Sequence, residues 1–307
     1  MLRIGFVDLD TSHAESFARV IETMGDARLA AMLDHGDVVG EETVEAFCRA
    51  HNCRRCRSAQ EMIENADAVA VLSVNWDAHL ERARPYMEAG LPTFVDKPVA
   101  GRLRDVLAFR DLATKTRTPL FEGSGYRWNE PMAQARQRFA AAKLDTFFAS
   151  APNEFFYYGV HAVEAALGLL GPGIESVWTL RNDEQGTVVQ FHHAGRNANG
   201  YLMLQAPFTL REATFVAEGF PQRVEFTAAQ IHQGVMGAFV RMAREKRSPL
   251  EPQHAGEAVN VLLAATASAS SGATVAVADF HESVAFNGAA FAKAYKAARQ
   301  ARSVKTQ

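Results

Sequence analysis

Ala68-Val69-Ala70-Val71-Leu72-Ser73-Val74 is an apolar run broken only by a serine near its end. A strand with one face in water alternates apolar and polar residues, whereas a parallel strand covered by helices on both faces has no need to. The run therefore reads as an inner strand of a parallel sheet. On either side of it, strand and helix signals alternate. Upstream are a strand from Leu2 to Val7, a helix with Phe17, Val20, Ile21 and Met24 on its apolar face, and a second strand from Leu29 to Leu33 that ends at Asp34. Downstream, a helix from Ala78 to Ala89 stops at Gly90 and Pro92, and Thr93 to Val95 reads as another strand. This rhythm predicts an α/β fold whose first domain, residues 1–121, is a Rossmann-like doubly wound parallel sheet.

After Phe121 the rhythm changes. Helical patterns cover Pro131 to Lys143 and Val160 to Leu170, and a series of strand-like runs follows: Ser176 to Leu180, Thr187 to His192, Gly200 to Gln205, Glu212 to Ala217 and Gln222 to Phe226. Short turns such as Asp183-Glu184-Gln185-Gly186 predict a mostly antiparallel sheet. A late helix, Ala255 to Ser271, completes an α+β domain over 122–280, and a helical tail is expected over 281–307.

The chain has 307 residues, 48% hydrophobic and 22% charged, a globular composition with enough length for two cores. A net charge of -3 offers no field for a phosphate backbone, so no nucleic-acid partner is expected. No apolar run reaches the roughly 18 residues that span a bilayer, and the first residues enter a strand rather than a leader, so a cytoplasmic location away from membranes is expected. Cys48, Cys53 and Cys56 have His51 among them. Val44, Phe47 and Cys48 share one side of a helix that runs into a short strand, which scatters the thiols, so no metal site is expected.

In a doubly wound sheet the ligand lies beyond the carboxyl ends of the strands. Four strand ends carry suitable residues. Gly5-Phe6-Val7-Asp8-Leu9-Asp10-Thr11-Ser12-His13 stands where G-x-G-x-x-G would cradle a pyrophosphate, with Asp8, Asp10 and His13 at the glycine positions. A carboxylate aimed at a phosphate from 4 Å costs about 4 kcal/mol at an effective dielectric of 20. If the acids turn away, Asp10 or Thr11 caps the following helix while Ser12 and His13 act as donors. Asp34, at the second strand end, is suited to a ribose 2′-hydroxyl and opposed to a 2′-phosphate, which favours NAD over NADP. Ser73 and the loop Asn75-Trp76-Asp77-Ala78-His79 border the nicotinamide position, with Asp77 a natural N-cap. Asp96-Lys97-Pro98 follows the last of these strands and places an amine in the crevice, where desolvation lowers its pKa.

Asp96-Lys97-Pro98, preceded by Ala89-Gly90-Leu91-Pro92, resembles the Glu-Lys-Pro region of the Gfo/Idh/MocA oxidoreductases. Gly125-Tyr126-Arg127-Trp128-Asn129-Glu130-Pro131 is similar to that family's entry into its second domain, and Gly159-Val160-His161-Ala162-Val163-Glu164 to its catalytic helix. Pro249 to Val277 resembles its closing helix and strand. The resemblance implies hydride exchange between a dinucleotide and a carbinol of a sugar, cyclitol or other small carbonyl compound. Lys97 would orient the substrate hydroxyl, His161 would act as acid or base, and Arg127, Asp96 and the strand-end residues would border the cofactor. Tyr157 stands where the family often has an aspartate four residues before the histidine, and can relay a proton without acting as a carboxylate. The resemblance also implies a homodimer or homotetramer formed through the open face of the second sheet; the tail Phe280 to Ala298, with Phe286, Phe291 and Tyr295, extends past the family's usual end and is expected to pack there. Two other readings remain: proton-transfer chemistry with the dinucleotide lost or held permanently, and a catalytically silent small-molecule binder.

Overall fold

A computed structural model of the chain describes residues 1–278 and 284–305, the last four of these by backbone alone. The first sheet has six parallel strands, β1 (Leu2–Val7), β2 (Ala27–Leu33), β3 (Arg54–Arg55), β4 (Ala68–Val71), β5 (Thr93–Asp96) and β6 (Leu120–Gly123), in the order β3-β2-β1-β4-β5-β6. They alternate with helices α1 (Ser12–Thr23), α2 (Glu41–Ala50), α3 (Ala59–Asn65), α4 (His79–Glu88) and α5 (Leu103–Thr116). All four residues of β4 are buried, as an inner strand covered on both faces requires. Strand β6 runs past residue 121, so the first sheet closes beyond the expected domain boundary.

The chain then passes through α6 (Gly125–Trp128) and α7 (Glu130–Arg138) into β7 (Leu144–Pro152), followed by α8 (Gly159–Leu170). Strands β8 (Ile174–Asp183), β9 (Gly186–His193), β10 (Ala198–Ala206), β11 (Glu212–Ala217) and β12 (Phe220–Glu225) come next, then α9 (Ala228–Glu245), α10 (Glu257–Ser271), β13 (Val275–Ala276) and α11 (Gly288–Lys305). The second sheet runs β12-β11-β7-β10-β9-β8-β13, antiparallel except for the β7–β10 pair. Neither β7 nor α9 was expected from sequence. Strand β7 takes its form from its partners, and α9 starts on a capping box of Thr227 and Gln230. Val235, Met236, Phe239 and Val240 of α9 join Phe17, Ile21, Phe94 and Phe121 in one core cluster, so the second half of the chain closes one face of the first domain.

The tail is helical as expected, although Phe280 and residues 281–283 lie outside the described residues. It does not pack on the open face of the second sheet. Phe291 lies 5.1 Å from the Trp76 ring and 4.6 Å from the Tyr157 ring, which places α11 over the carboxyl ends of the first sheet. Among the described residues no helix is long and apolar enough to cross a membrane, and no group of three or more ligating side chains could hold a metal ion.

Gly125 packs directly against α9: a Cβ there would collide with the Ile231 carbonyl. Backbone cannot yield as a side-chain tip can, so Gly125→Ala is expected to lower stability by about 2 kcal/mol, within the overpacking range, read as an earlier urea midpoint at unchanged slope.

Candidate active site

The first turn keeps the backbone path of a glycine-rich loop without its glycines. Asp8 sits at φ 69°, left-handed space that aspartate tolerates better than most residues. Its buried carboxylate accepts bonds from the His35 backbone N–H at 2.9 Å, the His35 ring Nδ1 at 2.8 Å and the Ser73 hydroxyl, and pairs with Arg82 at 2.7 Å. Burial alone would raise its pKa, but these partners outweigh burial and hold it below the usual carboxylate range. Asp10 is also buried; one oxygen accepts the Val74 N–H at 2.9 Å and the other has no partner. Burial, with Asp8 nearby, pushes Asp10 up to about 7. Both acids thus turn toward β4 and away from the helix start. Thr11, not Asp10, caps α1 by accepting the His13 N–H at 3.1 Å. Asp34 accepts the Leu9 and Gly36 N–H groups, each at 2.7 Å, tying the ends of β1 and β2 together.

Lys97 and His161, far apart in sequence, line one narrow cavity of about 20 Å³, together with His13, Asp96, Ser124 and His232. The Lys97 ammonium is buried 3.3 Å above the centre of the Tyr157 ring and donates to the Tyr157 carbonyl at 3.4 Å. Burial lowers its pKa to about 8, opposed by the charges of Asp96 and Glu154. Where a carboxylate would hold this ammonium charged, an aromatic face supports it less strongly.

Across the cavity, His13 Nδ1 lies 2.5 Å from Asp96 Oδ2. Burial would raise Asp96, but His13 and Lys97 hold it below the usual range, so the carboxylate accepts and the imidazole donates. His161 Nδ1 shares a 2.5 Å hydrogen bond with the Ser124 hydroxyl. Desolvation first, then Lys97 and His13, keep His161 well below its ordinary pKa, so it is neutral. His232 of α9, its ring 6.0 Å from that of His13, is pushed down to about 4 by burial and by His13.

Three expectations are corrected. His79 is fully buried with its ring nitrogens 3.1 and 2.8 Å from the Val99 and Ser73 carbonyls, so it braces the β4 loop and cannot meet a cofactor. The guanidinium nitrogens of Arg127 are sealed from solvent, and the nearest carboxylate, Glu164, is 3.9 Å away, so Arg127 is interior to the second domain. Asp77 does not cap α4; its carboxylate accepts the Gly288 and Ala289 N–H groups at 2.9 and 3.2 Å and starts α11 instead. Asn75 caps the short turn Trp76–Ala78 by accepting the Asp77 N–H. Ser73 serves Asp8, and Ser12 begins α1. Ser124 was missed although it also follows a strand end, and His232 was missed with its helix.

Residues 3–124 match the family model for the Gfo/Idh/MocA oxidoreductases, described as an oxidoreductase family with an NAD-binding Rossmann fold. That segment belongs to the family. No curated protein matches the chain by sequence. Among solved structures, a probable dehydrogenase from Thermotoga maritima superposes with a TM-score of 0.77 at 18% identity, covering 90% of this chain and 99% of that one. A scyllo-inositol dehydrogenase from Lactobacillus casei with bound NAD(H) and scyllo-inositol superposes with a TM-score of 0.75 at 14% identity, covering 91% and 100%. These likenesses establish the fold through both domains.

The crevice beyond the strand ends is open beside β2 and occupied at the first turn. A groove of about 300 Å³ beside β2 is bordered by Asp34, His35, Arg57, Ser58 and Arg82. At the second glycine position, however, the Asp10 carbonyl already accepts Arg299 Nη1 of α11 at 2.8 Å, where a pyrophosphate would lie. With Arg299 in this place, the position of the pyrophosphate is taken.

The raised Asp10 carries a stability signature. The folded state keeps this proton to about pH 7 while the unfolded chain releases it near 3.8, so stability falls as pH rises between those values. Asp10→Asn, which keeps the acceptor for Val74, should therefore be more stable than the parent at pH 8 by up to about 4 kcal/mol. Urea unfolding at both pH values should show that advantage shrink by more than half at pH 5.

Proposed function

We propose that this oxidoreductase-family chain is a cytoplasmic dehydrogenase or reductase of a small polyhydroxylated or carbonyl compound, using NAD in preference to NADP. The observation that carries the reading is the convergence of Lys97 and His161 on one cavity, with the lysine pKa lowered to about 8. Support for the substrate class comes from the inositol dehydrogenases among the similar structures. Support for NAD comes from Asp34, whose charge at the β2 end opposes a 2′-phosphate.

The proton half of the reaction follows from these residues. Neutral Lys97 accepts the proton of a substrate hydroxyl, and as an ammonium it stabilises the developing oxyanion. His161, held neutral and oriented by Ser124, hydrogen-bonds the same oxygen or its neighbour. Tyr157 positions the lysine by its ring face. A mutation that removes the amine while keeping its length, Lys97→Met, should lower turnover by about 10²–10⁴-fold, measured as reduced dinucleotide formed from a panel of cyclitols and sugars. With Lys97 as base, kcat/KM for oxidation should rise with pH and level off above about 8.

The His13–Asp96 pair favours a second reading, epimerisation or elimination by proton transfer alone. An imidazole whose Nδ1 is held by a buried carboxylate presents Nε2 as a base, and it lines the same cavity as His161. That reading requires deuterium exchange into substrate carbon without added dinucleotide, lost in His13→Asn. Exchange that appears only with dinucleotide would dismiss it.

We also propose a homodimer or homotetramer built on the outer face of the second sheet. Trp178, Leu180 and Tyr201 are 44, 43 and 38% exposed on that face, alternating with buried Val177, Thr179 and Leu202. Light scattering should give a dimer or larger, and Leu180→Glu should shift it toward monomer.

A further inference from the structure

The tail that covers the crevice is built as a tethered arm. Its base is fixed: Phe286 donates its N–H to the Gly101 carbonyl and accepts the Trp76 indole N–H, both at 2.9 Å, and its ring stacks 4.0 Å from Phe156. Asp77 and Asn287 cap the first turn of α11. Phe291 then packs between Trp76 and Tyr157, so the helix also roofs the aromatic ring beneath Lys97. Farther along, the apolar packing gives way to two cationic tips. Half-buried Lys296 donates to the Asp37 carbonyl at 2.9 Å, and exposed Arg299 donates to the Asp10 carbonyl at 2.8 Å. The base is bound by buried aromatic surface, whereas the far end adds two part-buried bonds from long cationic side chains, beside further contacts of Tyr295 and Gln300.

The place those tips occupy matters. Asp10 stands at the second glycine position of the first turn, at the switch point between β1 and β4 where this class of sheet receives a phosphate. The turn is less hostile to an anion than its two acids suggest, because Asp8 is paired with Arg82 and Asp10 is raised to about 7. What stands at the pyrophosphate position is the chain's own arginine.

We propose that the far end of α11 is a resident competitor of NAD(H): it fills the pyrophosphate position in the unliganded chain, and the dinucleotide enters only by displacing Lys296 and Arg299 while the base stays docked. The inference takes its ligand, NAD(H), from the oxidoreductase reading. A closed arm lowers apparent affinity by the fraction of time it is open. Removing its two tips should recover that loss.

The test is fluorescence titration of the full-length parent and of Lys296→Ala/Arg299→Ala with NADH. Because binding is read without turnover, failure of the acid–base reading leaves this result intact, and failure here leaves Lys97→Met informative. The variant should bind NADH at least about tenfold more tightly. In the parent, saturating NADH should accelerate amide exchange at residues 294–301 and leave 288–291 unchanged. Lys296 is half-buried and Arg299 exposed, and an unchanged thermal midpoint would show that the fold is kept. Equal affinity in parent and variant would overturn the proposal. So would NADH binding by neither protein at millimolar concentration, which would mean that the turn itself excludes the dinucleotide. Slower exchange at 294–301 with NADH would overturn it too, since the arm would then clamp the ligand rather than yield to it.

Discussion

One buried carboxylate joins the pieces on which the site is built. Asp8 leaves β1 in a left-handed conformation and gathers the loop after β2 through His35, the end of β4 through Ser73 and helix α4 through Arg82. Three segments are thereby anchored at a point where glycine would anchor nothing. A charge so far from water is tolerable only when fully paired, and removing one partner from such an arrangement strands the rest. The glycine-rich loop of a nucleotide fold leaves its interaction energy for the ligand. In this chain Asp8 at the same turn is satisfied internally, while one oxygen of Asp10 has no partner.

The same logic extends one strand over. Asp96 ends β5, accepts the Lys97 N–H at 2.8 Å and takes His13 from the start of α1, so the first helix is fastened to the strand that carries the lysine. Lys97 then rests on Tyr157 from the second domain, and His161 rests on Ser124 at the end of β6. Each catalytic candidate is held by a group from another element. The cavity is therefore an interdomain object: shifting either domain would separate Lys97 from His161 and break the core clusters that the halves share.

Much of this was legible in sequence because parallel strands announce themselves by continuous burial, and strand ends in such sheets are where ligands meet residues. Ala68 to Val74 and Asp96-Lys97-Pro98 carry that logic on their face. Glu212–Ala217 was readable to its exact ends because it alternates. What failed had physical reasons. Strand β7, Leu-Asp-Thr-Phe-Phe-Ala-Ser-Ala-Pro, follows a helix without a clear turn signal and is defined by its partners on both sides. His79 looked like a ligand because of its position after β4, yet two nearby carbonyls claim it. Arg127 lies in the segment that resembles the family's second-domain entry, and only the packing of Gly168 against its backbone shows that it is enclosed. The docking of the tail over the crevice was invisible, since the residues it meets, Asp10, Asp37 and Trp76, are more than 200 positions away.

The charge of the cavity also bears on which intermediates it favours. Lys97 disfavours a proton on His161, and His13 disfavours one on both His161 and His232. Desolvation works in the same direction on all these bases except where Asp96 intervenes. The cluster therefore resists accumulating positive charge when empty, and a substrate oxygen that becomes negative relieves the constraint by allowing Lys97 to keep its proton. An alkoxide or enediolate is consequently stabilised more than the neutral compound it comes from, which is the differential binding that catalysis requires. That preference is independent of how electrons leave the substrate, so the same side chains suit the proposed oxidation and the alternative proton transfer alike.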